Sequence, residues 1–106
     1  MVNLPDRKRI EDFADEMIEK DDFVRPSITR DKYMTREEYV ISTWVNSYCN
    51  YNCPQLEDSK AEREAWHALL PEACTAASTL FGVTSNKARE LYEKSRTIRS
   101  RLMKDI

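Results

Sequence analysis

Four residues in this chain are of the types that close around a tetrahedral metal: Cys49, Cys53, His67 and Cys74. Three thiolates and one imidazole would suit zinc, whose structural sites are four-coordinate shells of sulfur and nitrogen. The spacing argues against it. Cys49 and Cys53 have three residues between them at the end of a predicted helix, and Pro71 divides His67 from Cys74. Free thiols, buried or half-buried, are therefore the expectation. A Cys74–His67 nucleophile pair fails for a related reason: nothing nearby would orient the imidazole. With one histidine, no glycine-rich phosphate loop and no G-x-S-x-G elbow, the chain is not expected to be an enzyme or to hold a cofactor or metal. An odd number of cysteines without framework spacing suits the reducing cytoplasm.

The charged residues offer recognition chemistry instead. Residues 83–106 hold seven basic residues against three acidic ones, a net of +4, while the whole chain is −2. Residues 1–82 therefore carry −6. That asymmetry suggests an anionic partner for the C-terminal block. The isoelectric point near 5.5 points the other way, because nucleic-acid-binding domains usually lie above about 9. Near the N-terminus, Asp12, Asp15, Glu16, Glu19 and Asp22 form an acidic ridge, which either faces solvent or receives a basic protein surface. Beside it, Arg7 and Lys8 stand four residues before Glu11 and Asp12, the spacing of local ion pairs; a phosphate contact is the sharper reading.

Helices must position these groups. Glycine occurs once, and Pro5, Pro26, Pro54, Pro71 and Gly82 fall where helix-sized blocks begin or end. In the first block Ile10, Phe13, Ala14, Met17 and Ile18 recur at the spacing of one buried helical face. Residues 23–34 have no helical period; Phe23, Val24, Ile28, Tyr33 and Met34 suggest an ordered crossing segment. Thr35 opens a capping box, TREE, for a central helix bearing Val40, Ile41, Trp44, Val45, Tyr48 and Tyr51. A second box, SKAE from Ser59 to Glu62, opens a helix with Ala61, Ala65, Trp66, Leu69 and Leu70 on one face. Pro71 then suits the first turn of the next helix, where Ala73, Ala76, Ala77, Leu80 and Phe81 share a side. Gly82 follows as a left-handed stop. The last helix, capped by Thr84 or Ser85, turns Ala88, Leu91, Tyr92, Ser95, Ile98 and Leu102 inward.

The pattern predicts one all-α domain over residues 1–106, a compact bundle of about five helices. No apolar run approaches the roughly 20 residues of a membrane span. The opening MVNLPDRKRIEDFADE lacks an apolar leader core, so export is not expected.

The stretch TLFGVTSNKARELYEK, residues 79–94, resembles the bacterial and phage helix-turn-helix motif. Ala77 and Ser78 stand as its small residues, Gly82 as its turn and Val83 as the apolar plug, while Ala88 and Leu91 pack inward. The resemblance, over residues 73–94, implies a DNA-binding regulator whose last helix enters the major groove of double-stranded DNA, acting as a dimer. Asn86 would then pair with adenine and Arg89 with guanine, Thr84 and Ser85 with phosphate, and Lys87, Lys94 and Arg96 would neutralise the backbone, with Arg99, Arg101 and Lys104 further along. Glu90 and Glu93 oppose such binding. The rival reading is a protein-binding inhibitor or adaptor, of the kind phages and mobile elements direct at a host protein or complex, docking through Asp12, Asp15, Glu16, Glu19 and Asp22 or through the basic last helix.

Overall fold

The computed structural model describes residues 2–19 and 34–104, and their side chains except those of Ile18 and of residues 99–104. The proposed crossing segment apart from Met34, together with Asp22 and the side chains of Ile18, Arg99, Arg101, Leu102 and Lys104, lies outside the described residues. Among the described residues the chain folds into five helices and no strand: α1 (Arg7–Glu19), α2 (Arg36–Asn52), α3 (Ser59–Ala68), α4 (Leu70–Phe81) and α5 (Ser85–Lys104).

Helix α2 is the hub, packed against α1, α4 and α5 and more lightly against α3. Its capping box forms as the sequence predicts. The Thr35 hydroxyl accepts from the Glu38 backbone N–H at 3.2 Å, and the Glu38 carboxylate accepts from the Thr35 N–H at 2.9 Å. Two orphan donors are thereby satisfied. Nine residues of α2, from Tyr39 to Val45 with Tyr48 and Cys49, are buried, as befits a helix apolar over most of its circumference. Tyr51 departs from the expected arc and is exposed, because it follows the last buried turn and α2 ends one residue later.

Trp44 joins three parts of the fold. Its indole is 2% exposed and donates from Nε1 to the Pro5 carbonyl at 3.0 Å. Its ring meets Phe81 edge-on at 6.1 Å and lies 5.7 Å from Tyr48. The N-terminal segment is also pinned by Asn3 and Asn52, which exchange two hydrogen bonds of 2.8 Å.

On α1, Ile10 and Ala14 are buried and Met17 packs on the core as expected. Phe13 is instead 43% exposed: it sits at the edge of the apolar face and touches Tyr39 with one ring edge only. The Arg36 guanidinium ties α2 back to α1 by gripping both oxygens of Asp15. That hydrogen bond holds the Asp15 carboxyl below its usual range.

The N-cap of α3 is Asp58, one residue before the predicted Ser59; its carboxylate accepts from the Lys60 N–H at 3.0 Å. A charged acceptor at that place also opposes the positive end of the helix dipole, so Asp outcompetes Ser. Leu69 alone separates α3 from α4, in nearly helical geometry (φ −80°, ψ −15°), and Pro71 lies in the first turn of α4. Ala73, Cys74 and Ala77 face the core, whereas Leu80 is 40% exposed at the rim beside Leu4 and Pro5. Gly82 ends α4 with φ 70° and ψ 28°, its N–H donating to the Ser78 carbonyl at 3.0 Å. Ala88, Leu91, Tyr92, Ser95 and Ile98 of α5 are buried as the periodicity predicts.

Two substitutions test this packing. Among the described residues nothing lies within 4 Å of the place a β-carbon would take on Gly82, so Gly82→Ala should lose only the left-handed backbone preference, about 1 kcal/mol, seen as a lower urea midpoint with an unchanged slope. Among the described residues the buried Thr43 hydroxyl has no hydrogen-bond partner; Thr43→Val removes it at constant shape and should raise stability by roughly 1 kcal/mol in the same assay. The Asp15–Arg36 bond adds a pH signature. Because the folded carboxyl is depressed, its contribution is present above the unfolded carboxylate range and is lost as pH falls through the lowered folded value. Asp15→Asn should flatten that part of the acid denaturation curve, and an unchanged curve would show the bond to be energetically idle.

Candidate nucleic-acid interface

The corner between α4 and α5 is built from small residues and one permissive backbone angle. Ala77 and Ala88 are fully buried, which lets the two helices pack closely. Only Gly82, Val83 and Thr84 connect the helices. The Ser78 hydroxyl donates to the Val83 carbonyl, and Val83 packs half-buried on the core. Thr84 caps α5: its hydroxyl accepts from the Lys87 N–H at 3.0 Å. The sequence offered Thr84 or Ser85 for this role, and Thr84 fills it.

A residue that drew notice as a phosphate contact holds this corner from outside. Arg7 pairs with Glu11 at 2.9 Å, as its spacing predicts, and donates to the Leu80 carbonyl at 3.3 Å. Its guanidinium lies 4.7 Å from the centre of the Phe81 ring. A cation is favourable there, at the negative end of α4 and over an aromatic face.

The corner exposes Thr84, Ser85, Asn86, Lys87, Arg89 and Glu90. At about 100° per residue, Asn86, Glu90, Glu93 and Thr97 form the outermost stripe of α5. Ser85, Arg89 and Arg96 lie on one flank of it, Lys87 and Lys94 on the other. Three of these four cations have a carboxylate: Lys87 with Glu90 at 3.9 Å, Arg89 with Glu93 at 3.1 Å and Lys94 with Glu38 at 3.8 Å. Burial would raise the Glu38 carboxyl, but the Thr35 N–H and the Lys94 ammonium outweigh it and hold it low. Arg96 instead lines a cavity with Tyr92 and Trp66. The face is therefore more nearly neutral than the sequence count suggests.

The acidic ridge is also partly committed. Asp12, Asp15, Glu16 and Glu19 are exposed, but Asp15 belongs to Arg36, which reaches Glu11 at 3.9 Å as well. The sequence could not disclose that clamp, since Asp15 and Arg36 stand 21 residues apart.

The suspected metal ligands do not converge. Cys49 and Cys74 are buried and Cys53 half-buried, while His67 is exposed on α3 with its ring 5.2 Å from Trp66. Among the described residues no group of three or more His, Cys, Asp or Glu is placed to hold a metal. Burial, reinforced by Cys74 and Cys53, pushes the Cys49 thiol up to about 12, the opposite of what a nucleophile requires. Among the described residues no helix is long and apolar enough to cross a membrane. No protein-family model, curated protein or solved structure matches the chain.

Proposed function

We propose that the protein is a small DNA-binding regulator whose α4–Gly82–α5 corner acts as a helix-turn-helix. The observation that carries this reading is the exposed start of α5: Ser85 and Asn86 in its first turn and Arg89 in its second are exposed just beyond a three-residue turn, on a helix packed against α2 and α4. A helix end so placed can enter the major groove with its N-terminal residues toward base edges. Asn86 offers both a donor and an acceptor, the pattern that reads adenine, and Arg89 offers the fork that reads guanine. Ser85 and the free N–H groups of the first turn suit a phosphate oxygen. Thr84 serves by holding the turn, its hydroxyl being occupied.

The ion pairs on α5 do not defeat the reading. An exposed pair such as Arg89–Glu93 contributes about 0.2–1 kcal/mol, whereas a bidentate contact to a base discriminates by about 1–3 kcal/mol. Arg89 therefore gains by exchanging Glu93 for guanine. Lys87 and Lys94 are released toward phosphate on the same terms. One corner of this size buries little DNA, so specific binding calls for two copies on adjacent half-sites. The mechanism is occupancy of a site, without chemistry, in the cytoplasm of the host cell.

The acidic outermost stripe of α5, with Glu90 and Glu93 at its centre and its flanking cations already paired, favours the second reading: an adaptor or inhibitor that docks on a host protein, through α5 or through the exposed acidic residues of α1. The two readings part on salt and on mutation. Fluorescence anisotropy with a labelled duplex should give an affinity that falls steeply with salt, with a slope of about −0.9 per phosphate neutralised. Arg89→Ala should weaken binding by about tenfold or more, and Glu19→Gln should leave it unchanged. No retention on duplex DNA at low salt would overturn the regulator reading in favour of the adaptor.

A further inference from the structure

On the far flank of α5 from Lys87, the helices α2, α3 and α5 enclose an open cavity of about 550 Å³. That is within the range of small-molecule sites. Arg63 from α3 and Arg96 from α5 both line it. Among the described residues neither guanidinium has an ion-pair or hydrogen-bond partner. Every other arginine or lysine so far described on α2 and α5 has a carboxylate. Two unpaired guanidinium forks on one cavity make a site for a planar or tetrahedral oxyanion, which such forks bind bidentately.

Two aromatic residues, Trp66 and Tyr92, line the same cavity. Trp66 donates from Nε1 to the Asn50 side-chain oxygen at 2.8 Å, which sets the plane of its half-buried indole. The ring of Tyr92, itself 8% exposed, backs it at 5.8 Å. With its oxygen taken, Asn50 keeps its N–H donors for the cavity, and Asn46 lines the same wall. Glu62 is the one carboxylate lining the cavity among the described residues.

We propose that this cavity binds a small organic anion carrying a planar ring, with its carboxylate or phosphate held by Arg63 and Arg96 and its ring laid against Trp66. The site is separate from Asn86 and Arg89 and stands whether or not the protein binds DNA. Because Arg96 lies on α5 itself, an occupied cavity would tie α3 to the helix that leads from the Gly82 corner.

Isothermal titration of the full chain with AMP, benzoate and inorganic phosphate tests the site, with tryptophan fluorescence as a second readout, compared with Trp66→Leu because Trp44 also emits. Saturable binding of AMP or benzoate is the expected result, and which of the two binds identifies the anionic group as phosphate or carboxylate. Arg63→Gln and Arg96→Gln should each weaken that binding by about tenfold or more. Both residues are exposed, and unchanged thermal melts will confirm that the variants fold. Trp66→Leu should remove the preference for AMP or benzoate over inorganic phosphate. The proposal is overturned if neither organic anion binds, if binding survives both arginine substitutions, or if inorganic phosphate binds the native chain as tightly as the ring-bearing anions.

Discussion

The arrangement rests on the burial of Trp44. One side chain donates its hydrogen bond to the Pro5 carbonyl of the N-terminal segment, fills the middle of α2 and meets Phe81, the last residue of α4, edge-on. Phe81 immediately precedes Gly82, so the indole holds the end of α4, which Gly82 terminates, against the core. Arg7 closes the same contact from the solvent side, over Phe81 and onto the Leu80 carbonyl. A buried tryptophan with its N–H satisfied commits a large apolar area without leaving a polar debt. The corner is thus anchored through the core rather than by its own short turn.

Local chemistry made much of this visible in the residues alone. The Thr35–Glu38 box, the Gly82 stop and the inward stripe of α5 each depend on groups within a few positions of one another, where spacing dictates geometry. The failures have a common physical form. Phe13, Tyr51 and Leu80 lie at the margins of apolar faces, and periodicity cannot say how far a neighbouring helix extends to cover them. The Asp58 cap lost to Ser59 in the sequence because both satisfy the same rule one residue apart. Arg36–Asp15, Lys94–Glu38 and the cavity of Arg63, Trp66 and Arg96 join different helices, so they exist only once the helices have crossed. Of the candidate interface, the exposed positions were legible, and Lys87–Glu90 and Arg89–Glu93 stand at the spacing of helical ion pairs; the Lys94–Glu38 contact between helices was not legible.

That pairing shapes the functional reading. The described cations of α5, Lys87, Arg89, Lys94 and Arg96, lie on both flanks of the helix rather than on one face, with Glu90 and Glu93 on the outermost line between them. Such a surface disfavours indiscriminate attachment to phosphate, because Lys87, Arg89 and Lys94 must each exchange a partner they already have. Specific contacts, worth more than an exposed ion pair, can still win that exchange. Two cations without an ion pair among the described residues, Arg63 and Arg96, line the cavity on the other flank. One helix accordingly presents two chemistries: paired charges facing outward from the corner, and an open guanidinium beside an aromatic wall on the flank.

The corner claim is tested most directly by titrating uniformly 15N-labelled protein with a duplex in low salt and following every backbone amide by NMR. Perturbations concentrated from Val83 to Glu90, with α1 left silent, are what a groove-entering first turn of α5 requires. Perturbations confined to α1, or none anywhere in the chain, would contradict it.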